Sequence, residues 1–163
     1  MSSYSRRLFL LSGAAALAGC GFAPAYGPGG AAAPLQNAIR VDAPDTRTGY
    51  LLTRQFEERM GRANPARFGL SYSIKTSESA IAISSNNVIT RYNLLGQVTF
   101  ALRDLSTDKV LTSGKVDNFT SYSASGTTVA TQAARRDAEA RLMTILTDQI
   151  ITRLTAEAGT LAA

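Results

Sequence analysis

A two-residue alternation of apolar and polar side chains runs through the middle of the chain and limits what it can fold into. Residues 68–74 carry Phe, Leu, Tyr and Ile at every second position, and in residues 88–102 six large apolar residues share the even-numbered positions. Because neighbouring strand residues point to opposite faces, this pattern predicts strands that are buried on one face only. Residues 105–109 have the composition of a hairpin turn, and residues 110–122 return as a partner strand.

The alternation slips at two places. The apolar residues move to odd-numbered positions at Ile81 and Ile83, which predicts a bulge or a break near residues 77–80. A second slip is predicted between Val116 and Phe119, so that Phe119 would join the core.

Two other segments have the spacing of amphipathic helices. Asp45 or Thr46 can cap the first, whose apolar residues recur at every fourth position and which is predicted to end near Arg62. The second begins near residue 127, is rich in Ala, Leu, Arg and Glu, and contains no Gly or Pro before Gly159.

A short alternating strand at residues 38–43 precedes the first helix. The order of elements is therefore strand, helix, three strands and helix. This order predicts an α+β fold in which two helices pack on one face of a mostly antiparallel or mixed four-stranded sheet.

The N-terminus has the features of a bacterial lipoprotein leader. Arg6 and Arg7 precede a short apolar run and then small residues, which is typical of a secretory signal peptide. The run ends Leu-Ala-Gly-Cys at Cys20, which resembles a lipobox, with the Cys20 thiol as the site of the diacylglycerol thioether and its N-terminus as the site of the N-acyl lipid. A chance cysteine after an ordinary signal peptide is the alternative. Gly21, in place of an Asp, favours sorting to the outer membrane.

These features divide the chain into four parts. Residues 1–19 are predicted to be the signal peptide, exported by either the general or the twin-arginine route. Residues 20–34 are rich in Gly, Ala and Pro and are predicted to be a lipidated flexible tether. Residues 35–158 are predicted to form a single α+β domain, and residues 159–163 a C-terminal tail.

Composition excludes several kinds of site. The 163 residues include no His and one Cys, so that the chain has no imidazole metal site, no Cys–His nucleophile pair and no intramolecular disulfide. A chain cut before Cys20 loses Arg6 and Arg7 and keeps 15 basic and 12 acidic side chains, a net charge of +3. These charges are well mixed, which does not favour nucleic acid as a partner. No residue pattern predicts a catalytic site, a metal site or a cofactor.

One family shares these features. The segment Cys-Gly-Phe-Ala-Pro-Ala-Tyr-Gly at residues 20–27, followed by the strand and helix order above, resembles the LptE family of lipopolysaccharide-assembly lipoproteins. The resemblance implies a non-enzymatic, lipid-anchored protein of the outer membrane that faces the periplasm. It also implies a position inside the lumen of the large β-barrel LptD, as a plug and assembly factor, and contact with lipopolysaccharide. The loop at residues 84–89 departs from the family pattern because it has no basic residue.

Two sets of residues are candidates for these contacts. The polar face of the long central strand is predicted to contact the barrel, although such a face can also be merely solvated; it comprises Arg91, Asn93, Gln97, Thr99 and Arg103. Arg91 and Lys115 are predicted to bind lipopolysaccharide phosphates, from positions several residues out of register with each other.

Two other functions remain open from sequence. One is a periplasm-facing lipoprotein that holds an acyl or lipid ligand between sheet and helices and has no barrel partner. The other is a hydrolase, which would need a cluster of carboxylates with raised pKa values in a cleft.

The lipobox generates a direct prediction. Replacement Cys20→Ala removes the thiol that is acylated, so we expect uncleaved precursor without label after growth with radioactive palmitate. Palmitate labelling at the wild-type level in this variant would contradict the assignment.

Overall fold

A computed structural model describes residues 25–27 and 29–161. The predicted signal peptide and Cys20 lie outside the described residues. The elements follow the order 3-10 turn Ala33–Leu35, β1 Ile39–Val41, α1 Arg47–Met60, β2 Phe68–Ile83, β3 Ile89–Asp104, β4 Val110–Ser123 and α2 Thr128–Leu161.

The four strands form one mixed sheet in the order β1-β2-β3-β4. Short β1 runs parallel to the start of β2, and β2, β3 and β4 form an antiparallel meander. Two helices accompany this sheet, which confirms the predicted α+β fold.

Helix α1 begins and ends where its sequence provides caps. The Thr46 hydroxyl accepts a hydrogen bond from the Gly49 N–H at 3.1 Å, as expected for an N-cap threonine. At the other end Gly61 has φ of 81° and donates its N–H to the Glu57 carbonyl. The side chain of Asn37 occupies the space that a Cβ at position 61 would need, so that glycine is required there.

The two predicted slips in the alternation have different outcomes. Strand β2 continues through the first one, with a bulge between Ala80 and Ile83. The second prediction is wrong, because β3–β4 pairing continues without a shift from Val116 through Phe119. Phe119 therefore lies on the opposite face from Val116 and is 59% exposed. The irregularity in β4 occurs instead at Leu111, beside the hairpin turn.

The core lies between the sheet and the helices. The even-numbered residues Leu94, Val98 and Leu102 of β3 are buried. They share this core with Phe56 of α1 and with apolar residues of α2 that recur every four positions, namely Leu142, Leu146, Ile150 and Leu154. Both helices thus pack against one face, and the large residues of that face supply most of the apolar burial that stabilises the domain.

Part of the segment predicted to be a flexible tether contacts the domain. Ala32 is fully buried, and the Tyr26 hydroxyl lies 2.5 Å from the Thr155 hydroxyl of α2. Sequences rich in small residues and proline have little intrinsic order. Here, however, a few side chains of the segment pack against the helix layer.

Adjacent leucines on β3 provide a matched test of this arrangement. Leu94 is 2% exposed and Leu95 is 42% exposed, on opposite faces of the same strand. We expect Leu94→Ala to lower the free energy of unfolding by about 2–5 kcal/mol because it leaves a cavity. Leu95→Ala should cost less than about 1 kcal/mol, since surface changes have small effects. Denaturant unfolding of the soluble domain measures both, and equal losses would contradict the assignment of the two faces.

Candidate functional site

One face of the sheet is left uncovered by the helices, and we call it the open face. It comprises the odd-numbered residues of β3 together with the residues paired with them on β2 and β4, as in the rows Lys75–Gln97–Asp117 and Ser73–Thr99–Lys115. The five predicted barrel-contact residues lie on this face, namely Arg91, Asn93, Gln97, Thr99 and Arg103. The structure therefore brings them together on one surface. Whether they contact a partner stays a prediction.

The centre of the open face is apolar, although the sequence pattern predicted only polar contacts there. Leu95 lies directly opposite Phe119, and the two side chains are 42% and 59% exposed. They line a shallow depression of about 420 Å³ whose polar walls include Lys75, Gln97 and Lys115. Strict alternation along β3 already placed Leu95 on this face. Phe119 was instead assigned to the core, because an aromatic residue in a strand was assumed to be buried.

The basic residues of the open face fall into two groups. Arg103 is held by the domain's own carboxylates, with Nη2 3.6 Å from Asp42 Oδ1 and Nη1 4.0 Å from Asp108 Oδ1. The ion pairs found among the described residues involve neither Lys75, Arg91 nor Lys115. Those three cations are available to an anionic partner, whereas Arg103 is already engaged.

Arg91 and Lys115 lie far apart on the open face. Arg91 is paired with Ser123, while Lys115 is paired with Thr99. Positions 115 and 123 are eight residues apart in sequence, which corresponds to roughly 26 Å along the strand. The two cations cannot hold the same phosphate group, which agrees with the offset expected from sequence.

A polar cluster braces the β2–β3 hairpin end of the sheet, on the face opposite the open face. The rings of Tyr92 and Tyr122 stack with centroids 5.4 Å apart. The Tyr122 hydroxyl donates to Glu78 Oε1 at 3.2 Å, and Arg135 Nε of α2 donates to the same oxygen at 2.6 Å. Burial, the Glu78 charge and this hydrogen bond raise the pKa of Tyr122, and the hydrogen bond to Glu78 raises the pKa of Arg135. The cluster ties β2, β4 and α2 together.

Three of the carboxylates, those of Glu57, Glu58 and Asp104, have structural partners. Glu57 and Glu58 are paired with different arginines, Arg62 at 2.9 Å and Arg54 at 3.5 Å. Hydrogen bonds from the Ser106 side chain and backbone hold the pKa of Asp104 below its usual value, the opposite of what a general acid needs. No group of three or more Asp, Glu or Cys side chains suited to a metal ion occurs among the described residues.

Neither helix in the described part of the chain combines the length and apolar character that crossing a bilayer requires.

Solved structures share this architecture. A lipoprotein from Caulobacter crescentus CB15 is 25% identical, with a TM-score of 0.65 over 77% of this chain and 93% of that one. Rare lipoprotein B from Shewanella oneidensis is 13% identical, with a TM-score of 0.57 over 77% and 98% of the two chains. A minor lipoprotein from Acinetobacter baumannii is 14% identical, with a TM-score of 0.52 over 74% and 91%. The last two likenesses concern the fold alone.

Sequence comparison identifies the family. Among curated protein sequences none is similar enough to this chain to count as a relative. The family model described as LptE, lipopolysaccharide-assembly, matches residues 36–154, which is more than half of the chain and includes every strand. The chain therefore belongs to the LptE family of lipopolysaccharide-assembly proteins.

Proposed function

We propose that this protein is a non-enzymatic lipoprotein of the outer membrane, anchored through lipid on Cys20, that acts as plug and assembly factor for an LptD-type β-barrel. Its open face lies against the polar wall of the barrel lumen. In this position the domain supports transport of lipopolysaccharide to the outer leaflet. The observation that carries the proposal is the open face itself, in a chain whose family assembles lipopolysaccharide.

The chemistry of the open face suits the inside of an outer-membrane barrel. The lumen of such a barrel is polar, so a plug needs donors and acceptors along its length. Asn93, Gln97 and Thr99 supply them at alternate positions of one rigid strand. Because that strand is held on both sides by neighbouring strands, binding orders little backbone and loses little conformational entropy.

The apolar centre adds a further reason to expect a partner. Stable interfaces commonly have a few aromatic or large apolar side chains at the centre and a polar rim that excludes water. Leu95 and Phe119 occupy such a centre, and Lys75, Gln97 and Lys115 lie around it.

An acyl ligand between sheet and helices is the less favoured alternative. A Cβ added to Gly96 would lie 2.8 Å from a methyl group of Leu142 and 3.0 Å from one of Leu146. The helix layer therefore touches the backbone of the central strand, and a fatty acyl chain would have to displace buried leucines. A barrel partner on the opposite face requires no such change.

Charge reversal on the open face tests the barrel contact. We expect the double variant Arg91→Glu, Thr99→Glu to reduce co-purification of the barrel with tagged protein by about tenfold or more, because it places negative charge on a face where Lys75, Arg91 and Lys115 outnumber Asp117. Arg103 is left unchanged because reversing its charge would place like charges beside Asp42 and Asp108.

The matched control is Gln132→Glu, Arg136→Glu on exposed α2, which changes the net charge by the same three units. Thermal unfolding should be similar for both variants. Full co-purification by the folded open-face variant, or equal loss in the control, would contradict the proposed contact surface.

We also propose that Arg91 and Lys115 contact anionic groups of lipopolysaccharide separately. Since the two positions are roughly 26 Å apart, Arg91→Ala and Lys115→Ala should weaken binding of the soluble domain to immobilised lipopolysaccharide independently. The fold-changes should therefore multiply in the double variant. Arg136→Ala is the control. If the wild-type domain does not bind immobilised lipopolysaccharide, the proposal of direct contact is refuted. The barrel proposal is unaffected by that result.

A further inference from the structure

The segment that follows Cys20 is fastened to the helix layer at Tyr26. The Tyr26 Oη atom lies 2.5 Å from Thr155 Oγ1, and the Thr155 hydroxyl donates its own proton to the Ile151 carbonyl at 2.8 Å. With the Thr155 proton on the Ile151 carbonyl, Tyr26 is the donor in the pair. The same oxygen lies 3.9 Å from Met60 Sδ, so that this one side chain spans the end of α1 and the last turns of α2.

The chain is held again six residues later. Ala32 is fully buried, and its N–H donates to the Ala25 carbonyl at 3.0 Å. Between these points the Gly30 N–H donates to the Gly27 carbonyl at 2.8 Å and closes a turn. The folded domain thus has two attachment points for the N-terminal segment, of which Tyr26 is the nearer to Cys20.

We propose that Tyr26 acts as a clamp that shortens the lipid tether and holds one end of the domain close to a phospholipid surface. This inference rests on the proposed lipidation of Cys20. Tyr26 is six residues from Cys20 and Ala32 is twelve. An extended chain covers at most about 3.5 Å per residue, which limits the reach to about 21 Å with the clamp closed and to about 42 Å once Tyr26 and the Ala25–Ala32 hydrogen bond are both released.

The clamp lies at one end of the domain. Thr112 of β4 donates to Glu157 of α2, so Tyr26 and the last turns of α2 lie beside the β3–β4 turn. The β2–β3 hairpin tip is at the other end of the sheet. From Leu70, which shares a row with Thr112, β2 continues for thirteen residues to Ile83, which is roughly 43 Å. The clamp keeps the β3–β4 end near the surface and the hairpin tip away from it.

The test uses full-length lipidated protein in vesicles of phosphatidylethanolamine and phosphatidylglycerol. A donor dye on Asn86→Cys at the hairpin tip and acceptor dye on lipid headgroups report the height of the tip through time-resolved energy transfer. Intact mass measures acylation of Cys20 in every preparation. Tyr26→Ala and Thr155→Val each remove one partner of the hydrogen bond, and Tyr50→Ala, at an exposed tyrosine of α1, is the control.

We expect a narrow distribution of heights for wild type and Tyr50→Ala. In both clamp variants the range of heights should widen, up to about twofold where release of Tyr26 also breaks the Ala25–Ala32 hydrogen bond, with unchanged thermal unfolding of the domain. An unchanged distribution in both acylated clamp variants would overturn the clamp and leave the barrel proposal untouched. Absence of acyl chains on Cys20 would overturn both the clamp's role and the proposed anchor, while barrel co-purification remains a separate measurement.

Discussion

The helices cover only one face of the sheet, and the rest of the structure depends on this constraint. Leu142 and Leu146 of α2 approach the backbone of Gly96 so closely that a side chain at position 96 would collide with them. This approach brings the helix layer down onto the even-numbered residues of β3 and buries them. Because residues in a strand alternate between faces, burying the even set necessarily presents the odd set on the other side. Within the described chain no helix covers that side.

The open face suits a protein that must stay soluble before it meets a partner. Its polar residues and the cations Lys75, Arg91 and Lys115 keep most of the surface hydrated. The apolar pair Leu95–Phe119 is small enough to be tolerated in water and sits at the centre, where a partner would exclude solvent. Exposed cations speed encounter with anionic surfaces more than they strengthen the final complex. Affinity would therefore depend mainly on the centre and on hydrogen bonds along β3.

Much of this surface could be predicted from sequence because alternation is a local property. It assigned the polar residues of β3 to one face, and that assignment agrees with the structure. Phe119 was misplaced because an aromatic residue of a strand was assumed to be buried, which required a slip in the alternation that β4 does not have between Val116 and Phe119. The ion pair between Arg103 and Asp42 depends on where β1 joins the sheet. The contact of Tyr26 joins residues 129 positions apart, which no local pattern encodes.

Photocrosslinking in living cells tests the central claim most directly. A benzoylphenylalanine placed at position 119, in the centre of the open face, is compared with one at position 136, on the exposed side of α2. If the open face lies against the wall of an outer-membrane barrel, position 119 should give a strong adduct with a protein of barrel size and position 136 a much weaker one. A strong barrel adduct from position 136 with none from position 119 would contradict the assignment of the open face as the contact surface.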